Sequence, residues 1–174
     1  YKLNDAVAPG RWRGGSGIVF EFQLLSPHAQ ISSRGWDRFH LRPWGREGGK
    51  GGTLGATSII DAQGHERAIP KIEVLRLAPG ETVRLVSPGG GGYGDPLDRE
   101  PVAVLRDVED GFVTVAEARE QYRVVIADGA VDAVATDALR KAAPPRGSAN
   151  TFDFGEERLQ YEQRLPQAFQ DMVV

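Results

Sequence analysis

The chain has 174 residues, of which 40% are hydrophobic and 26% charged, and its formal net charge is -3. A chain of this length can bury a core, and its interspersed charges do not favour a nucleic-acid partner. The absence of cysteine excludes disulfides, thiolate zinc sites and a cysteine nucleophile. No apolar run reaches the roughly 20 residues that span a bilayer, and the first residues do not resemble a signal peptide. We therefore expect a cytoplasmic protein with neither a membrane nor a nucleic-acid partner.

The part of the chain before Asp95 predicts short strands joined by tight turns, because most of the 22 glycines fall there. In the run GIVFEFQLL, apolar residues occupy every second position, which is typical of a strand with one buried face. The residues that we expect on this buried face are Ile18, Phe20, Phe22 and Leu24.

Two hairpins are predicted next. The run ATSIIDAQGHERAIP predicts a hairpin whose turn is Asp61–Gly64. The run IEVLRLAPGETVRLVSP predicts another, in which Pro79 and Gly80 occupy the central positions of a type II turn.

The pattern changes to a helical period after Asp95. The segment PVAVLRDVEDG predicts a helix that begins at Pro101 and ends at Gly111. We expect this helix to present one apolar face, formed by Val102, Leu105 and Val108.

Two further helices and a tail follow. Thr114 and Glu117 have the spacing of a capping box, which marks the start of a helix. Another helix is predicted over Val131–Ala143, stopped by Pro144. The tail predicts a short helix interrupted at Pro166, and we expect such a tail to dock on a partner or on the rest of a longer chain. The sequence as a whole predicts an α+β fold.

The run PGGGGYGDP is the most unusual segment. A phosphate loop needs converging backbone N–H groups at a helix N-terminus, usually with Lys followed by Ser or Thr. Gly89–Gly92 precede Asp95, which would repel a phosphate, and in GREGGKGG the residue after Lys50 is Gly51. The pattern instead favours a packed loop in which glycine allows the close approach of backbones and positive φ angles.

The histidines show no metal-binding pattern. Asp37 and His40 are three residues apart, a spacing that would bring them together only on a helix, and Pro43 argues against a helix there. His28 and His65 stand alone, and the serine nucleophile motif G-x-S-x-G is absent. We therefore assign neither a metal ligand nor a catalytic residue.

Arginine and tryptophan alternate in two segments, PGRWRGG and SRGWDRFHLRPWG. Such clusters suit recognition of a carboxylate or carbonyl through bidentate hydrogen bonds. They also suit stacking inside the protein or at an interface, which is the interpretation that we favour. The arginines concerned are Arg11, Arg13, Arg34, Arg38 and Arg42.

Taken in order, PGRWRGGSGIV, RPWGREGGKGG, PGGGGYGDPLDREPVAVLRDVEDGFVTVAEAREQY and VVIADGAVDAVATDALR resemble the C-terminal part of the hydantoinase B/5-oxoprolinase family. The resemblance covers about Ala8–Arg140. One departure is QYRVVI, where Arg123 replaces the usual glycine of Y-G-V-V. The resemblance implies a B-type subunit that works with an ATP-using subunit. In such pairs the ATP-using subunit phosphorylates a carbonyl or enol oxygen, and the B-type subunit completes the reaction.

The resemblance implies that this chain is a part or small subunit of an ATP-dependent cyclic-amide hydrolase complex and is inactive alone. Two alternatives remain open: a subunit of an ATP-dependent acetone or acetophenone carboxylase, and a non-catalytic assembly subunit. The expected partners are a hydantoinase A-like ATP-binding subunit and the N-terminal portion of a B-type subunit. ATP and a divalent metal are expected in those partners and no cofactor in this chain, because the family's His/Asp metal motifs have no match here.

Residue patterns and resemblance together divide the chain into three parts. We expect a β-rich hydantoinase-B-like core segment over 1–96, a helical segment of the same domain over 97–143, and a linker with a docking tail over 144–174. Residues expected to contact substrate through side chains are Arg34, Arg38, Tyr93 and Asp95. Residues expected to contribute backbone N–H groups are Gly89, Gly90, Gly91 and Gly92.

Overall fold

The computed structural model describes residues 2–3, 7–27, 30–33, 38, 40–69, 73–144 and 152–164. A β-rich first part is followed by helices, which confirms the predicted α+β class. The strands are β1 (Lys2–Leu3), β2 (Ile18–Gln23), β3 (Gln30–Ser33), β4 (Gly45–Arg46), β5 (Ala56–Ile60), β6 (Glu66–Ala68), β7 (Glu73–Arg76), β8 (Thr82–Val86), β9 (Ile126–Ala127), β10 (Ala130–Val131) and β11 (Phe152–Asp153). The α-helices are α1 (Pro101–Glu109), α2 (Val115–Gln121), α3 (Ala133–Lys141) and α4 (Glu156–Gln163). Within the described ranges, no helix is long and apolar enough to cross a lipid bilayer.

The main sheet of the described chain is antiparallel, with five strands in the order β1-β2-β8-β5-β6. β5 and β6 form the first predicted hairpin. The Asp61 carboxylate accepts hydrogen bonds from the backbone N–H groups of Gln63 (2.9 Å) and His65 (2.8 Å), and Gly64 has a φ of +88°. This hairpin and its turn are therefore confirmed.

The second predicted hairpin has the expected turn, but its two strands do not pair with each other, so the predicted pairing is wrong. The turn is present, because Glu81 N donates to Ala78 O (3.2 Å) and Gly80 has a φ of +94°. However, β7 pairs with β3, whereas both edges of β8 are taken by β2 and β5. The turn carries the chain from one sheet to the other. Leu75 of β7 and Val83 of β8 therefore pack together in one core, although their strands are not hydrogen-bonded to each other.

The first core lies between the main sheet and the β3–β7 pair. Its buried residues are Ile59, Ile69, Leu75, Leu77 and Val83. The predicted strand β2 is confirmed, and its residue Phe22 and the following Leu24 pack against this core. The predicted burial of the whole face is wrong, because Ile18 and Phe20 remain 46% and 45% exposed.

The predicted bounds of α1 and the predicted start of α2 are confirmed. Gly111, with a φ of +78°, follows the end of α1. The capping box forms as expected, since Glu117 N donates to Thr114 Oγ1 (3.1 Å) and Thr114 N donates to Glu117 Oε2 (2.8 Å). The third predicted helix is present, but its predicted bounds Val131–Ala143 are too wide: Val131 belongs to β10, and α3 begins after Asp132, whose carboxylate caps the helix, and ends at Lys141.

The buried face of α1 agrees with the predicted one at Val108, which packs against a core, but not at Val102. The helix buries Val104 and Asp107, while Val102 is 56% exposed. The apolar pattern was misleading because two arginines hydrogen-bond Asp107, which allows the helix to bury a carboxylate. A second core forms around this face, with buried residues Val104, Val113, Ala118, Tyr122 and Val124.

The described part of the tail docks on this same chain. β11 pairs with β4, opposing Phe152 to Arg46. Arg42 forms two hydrogen bonds with the Glu157 carboxylate of α4, one of them from Nε to Oε2 at 2.7 Å. The tail helix is therefore confirmed, and Pro166 lies outside the described residues. The division of the chain into the segments 1–96, 97–143 and 144–174 remains a prediction.

Candidate functional site

Three glycine-rich segments, 9–17, 45–53 and 89–94, lie against one another, and we call them the glycine platform. Backbone hydrogen bonds join them. Gly90 N donates to Gly15 O (2.9 Å), Gly92 N to Lys50 O (2.9 Å), and Lys50 N to Pro9 O (2.8 Å). The platform is thus held by main-chain bonds between segments that are distant in sequence.

The platform needs glycine because backbone meets backbone. A Cβ on Gly91 would lie 1.9 Å from Trp44 O, and a Cβ on Gly92 would lie 2.1 Å from Pro9 O. None of Gly89–Gly92, all of which the structure describes, has a positive φ. Close approach is therefore the reason for this run, as predicted, whereas the predicted positive φ is wrong for these four glycines.

The N–H groups of this run are largely engaged inside the chain. Gly89 N donates to Thr53 Oγ1 (2.8 Å), and Gly90 and Gly92 donate within the platform. An anion or substrate would have to replace these hydrogen bonds in order to bind there. The geometry thus argues against a phosphate loop, and substrate binding by the four glycines remains a prediction.

Trp12 and Tyr93 form an exposed aromatic pair at the edge of the platform. Each backbone N–H donates to the carbonyl of the other residue at 2.9 Å. Directly opposed residues on antiparallel segments point to the same side. Both rings are at least half exposed, Trp12 at 63% and Tyr93 at 50%, and the Arg11 guanidinium lies 5.9 Å from the Trp12 ring.

This aromatic pair lines a cleft of about 570 Å³, which we call the Trp12–Tyr93 cleft. Its volume is within the usual range for small-molecule sites. Its charged lining residues are Arg11, Glu47, Lys50, Asp95, Asp98, Glu120 and Arg123. Aromatic faces can hold a flat ring, the cations can donate to a carbonyl oxygen, and the carboxylates can accept from a ring N–H.

The predicted site residues are only partly brought together. Tyr93 and Asp95 line the cleft, and the Asp95 carboxylate also accepts from Leu97 N (2.8 Å) to cap the 3₁₀ helix Pro96–Asp98. Arg38 lies elsewhere, because its Nη1 donates to Arg42 O (3.1 Å) and its guanidinium lies 5.2 Å from the Trp44 ring.

Arg34 lies outside the described residues. The cleft residues that the sequence reasoning did not select include Trp12, Lys50, Glu120 and Arg123. Trp12 stands in a segment that was selected for its arginines, but its pairing with Tyr93 could not be read from either segment alone.

A cluster of charged side chains around Asp107 contacts the backbone of the cleft residue Arg11. Arg13 Nε donates to Asp107 Oδ1 (2.8 Å), and Arg99 Nε donates to Asp107 Oδ2 (2.9 Å). Arg13 also stacks on Phe112 at 4.3 Å, and Arg99 donates to Arg11 O at 2.9 Å. Packing, the favoured interpretation of the first arginine–tryptophan segment, is therefore confirmed for Arg13.

A smaller cleft of about 340 Å³ adjoins the first one, since Lys50 and Gln121 line both. Tyr122 also lines it, and its buried hydroxyl has no hydrogen-bond partner among the described residues. Burial raises the pKa of Tyr122 to about 12, so the phenol remains protonated at neutral pH. Among the described residues, no group of three or more His, Asp or Glu is placed to hold a metal ion.

The chain belongs to the hydantoinase B/oxoprolinase family, whose model matches residues 3–96. It is 41% identical over 145 residues to the B subunit of a putative D-/L-hydantoinase of Pseudomonas sp. (strain NS671), a match that covers 81% of this chain and 24% of that protein. It is 38% identical over 145 residues to the caprolactamase beta subunit of Pseudomonas jessenii, covering 80% of this chain and 25% of that protein. The resemblance seen in the sequence is thereby confirmed.

Solved structures agree with the sequence comparison. The crystal structure of the ATP-dependent caprolactamase from Pseudomonas jessenii superposes with a TM-score of 0.62 at 36% identity, over 82% of this chain and 25% of that chain. A nucleotide-free acetone carboxylase structure superposes with a TM-score of 0.58 at 19% identity, over 98% of this chain and 26% of that chain, and shows the shared fold alone. The chain thus spans about a quarter of the length of these relatives.

Proposed function

We propose that this chain is part of an ATP-dependent cyclic-amide hydrolase complex of the hydantoinase/oxoprolinase type. The observation that carries the proposal is the identity of 41% and 38% to subunits named for hydantoin and caprolactam hydrolysis. Both relatives are named as subunits, so the proposed partners are an ATP-binding A-type subunit and the rest of a B-type polypeptide. The chain alone has no activity in this proposal.

The Trp12–Tyr93 cleft is the proposed contribution of the chain to substrate binding. The two rings lie against the planar amide group of the cyclic substrate, and Arg11 and Arg123 donate hydrogen bonds to its carbonyl oxygen. ATP bound in the partner supplies the phosphoryl group that activates this oxygen. The glycine platform provides a rigid wall that helps to exclude water from the activated amide.

A ketone carboxylase subunit is the second candidate. The acetone carboxylase alpha subunit of Xanthobacter autotrophicus is 49% identical to this chain, but over only 57 residues, which are 30% of this chain and 7% of that protein. The shorter match makes this candidate the weaker one. A third candidate is an assembly subunit that contributes no residue to the reaction.

ADP release by the assembled complex separates the candidates. Release that depends on a hydantoin or a lactam supports the hydrolase, whereas release that depends on acetone plus bicarbonate contradicts it and supports the carboxylase. For the hydrolase we expect Trp12→Ala to raise KM by about fivefold, since stacking on an aromatic face contributes of order 1 kcal/mol.

Three further variants test whether the chain contributes to substrate binding at all. Arg38→Ala is the matched control for Trp12→Ala, because it removes a side chain that stacks outside the cleft and should leave KM unchanged. Unchanged turnover in Trp12→Ala, Tyr93→Phe and Asp95→Asn complexes that remain assembled would show that the chain is an assembly subunit.

A further inference from the structure

The two faces of the main sheet differ in character. On one face, the Arg84 side chain donates to Glu21 at 2.6 Å and to Glu66 at 2.7 Å, linking strands β2, β8 and β6. All three side chains are partly exposed. A charged ladder of this kind suits a face in contact with water.

The opposite face is apolar over β1, β2 and β8, and its charged residue Arg67 lies on the edge strand β6. The strand register places Leu3 of β1 opposite Ile18 of β2, and Phe22 of β2 opposite Val83 of β8. Because residues two apart in a strand share a face, Ile18 and Phe20 lie on the same side as the buried Val83. This apolar face therefore continues from the first core toward the β1 end of the sheet.

Among the residues that the structure describes, only one end of the apolar face is covered. Ile31 of β3 and Leu75 of β7 pack in the cluster that contains Val83 and Phe22. At the other end, three apolar residues remain exposed, and we call them the uncovered sheet end: Leu3 at 51%, Ile18 at 46% and Phe20 at 45%. The Phe20 ring lies 5.7 Å from the ring of Phe22, so the uncovered sheet end is continuous with the core.

We propose that the uncovered sheet end is the docking surface for the region of a hydantoinase-B-type polypeptide that lies outside this chain. The chain spans about a quarter of the length of its relatives, so the remaining three quarters of such a polypeptide are available as the occupant. That region must present apolar side chains which complete the first core. The association is insensitive to salt, because Glu21 and Arg84 lie on the opposite face and Arg67 of β6 lies at the far edge of the sheet from the uncovered sheet end.

This inference rests on the proposed function for the identity of the partner. It adds the place where that partner binds and the chemistry of the contact. Burial of an aromatic and two aliphatic side chains is typical of the centre of a stable interface.

The isolated chain has no cysteine, so Phe20→Cys introduces its single thiol, and in the chimera labelling at this position is read from the mass of the peptide that contains it. Its rate of maleimide labelling is compared in the isolated chain and in a full-length chimera, in which the chain replaces the aligned quarter of the Pseudomonas jessenii caprolactamase beta subunit. Val74→Cys is the matched control, a β7 residue that is 61% exposed. We expect labelling at position 20 to slow by about tenfold or more in the chimera at low and high salt, and labelling at position 74 to change by less than about twofold.

Equal labelling at position 20 in both proteins would overturn the proposal. Protection that is already present in the isolated chain would also overturn it, because it would indicate that a second copy covers the face. A wild-type chimera that only aggregates counts against it too, since the proposal requires the two surfaces to fit. Labelling needs neither ATP nor a lactam, so protection at position 20 supports the docking surface whatever the assembled complex hydrolyses, whereas ADP release by that complex decides the proposed function.

Discussion

At the scale of single residues, glycine in the platform is selected by contact between backbones. Gly14, Gly91 and Gly92 each face a carbonyl oxygen that occupies the place of a Cβ. The sequence predicted a packed loop for one of the three segments. It could not predict that the three glycine-rich segments are one another's neighbours, because each segment taken alone is also compatible with a flexible loop.

Gly92→Ala should destabilise the protein strongly. Its Cβ would lie 2.1 Å from Pro9 O, and a backbone carbonyl cannot move without disturbing the platform. We expect a loss of about 3 kcal/mol or more in the free energy of unfolding, measured by chemical denaturation.

Gly15→Ala is the matched control for this substitution, since a Cβ there meets no atom within 4 Å. We expect it to change stability by less than about 1 kcal/mol. Equal effects of the two substitutions would contradict the close-packing explanation.

Arg123 has a backbone conformation that glycine adopts more readily than other residues. Its φ is +54°, in the left-handed region, at the position where the family resemblance leads one to expect glycine. Arg123→Gly should therefore raise the free energy of unfolding by roughly 0.5–1 kcal/mol, and with it the melting temperature. The strain energy that the substitution removes exceeds the free-energy cost of the greater entropy of the unfolded chain.

Arg123→Ala keeps the strained φ and serves as the control for Arg123→Gly. It should show no gain in a parallel thermal melt. If Arg123→Gly melts at a lower temperature than the parent chain, then the arginine side chain stabilises the fold by more than the strain costs.

At the scale of elements, local signals were reliable for ends and turns but not for pairing. The capping box at Thr114 and the turn at Pro79-Gly80 formed as predicted, because each depends on a few adjacent residues. The partner of β7 depends on which strands already occupy the edges of β8, and that information is spread over the whole sheet. The docking of α4 through Arg42 likewise joins residues that are distant in sequence.

Docking of the tail should weaken in acid. The hydrogen bond from Arg42 lowers the pKa of Glu157 below its ordinary value of 4.5. A carboxylate whose pKa is lowered on folding contributes stability that is present above pH 4.5, and this contribution is lost as the pH falls through the lower pKa of the docked state. Acidification below this point should therefore release the tail from the β4 region.

Trp44 reports this release, because its ring contacts Phe152 and Phe154. With the other two tryptophans replaced by phenylalanine, its fluorescence should shift to the red as the pH falls below 4.5. Glu157→Gln should show the shifted emission already at neutral pH, whereas Glu156→Gln should retain the acid transition. An acid transition that persists in Glu157→Gln would contradict this assignment.

At the scale of the whole molecule, the Asp107 carboxylate connects the platform to the helices. Arg13 reaches it from the first glycine-rich segment and Arg99 from the segment before α1. Asp107 is only 4% exposed, so both arginines are needed to offset its burial. The Trp12–Tyr93 cleft lies where the glycine platform meets the helices, and its shape depends on this junction.

Asp107→Ala should cost about 3 kcal/mol of folding free energy, because it leaves two partly buried guanidinium groups without their shared acceptor. Asp110→Ala, an exposed residue at the end of the same helix, should cost less than about 0.5 kcal/mol. Urea denaturation of both variants measures the difference. Similar midpoints would show that the charge cluster does not stabilise the junction.

The family, the α+β class, the bounds of α1, the start of α2 and the turns could all be read from the sequence alone, since they follow from local composition and adjacent residues. The sequence also identified Tyr93 and Asp95, which line the cleft. The folded molecule was needed to show that Trp12 stands beside Tyr93, that Arg38 stacks on Trp44 outside the cleft, and that Ile18 and Phe20 remain uncovered. Packing and strand pairing join residues far apart in the chain, and no local pattern specifies which distant segments meet.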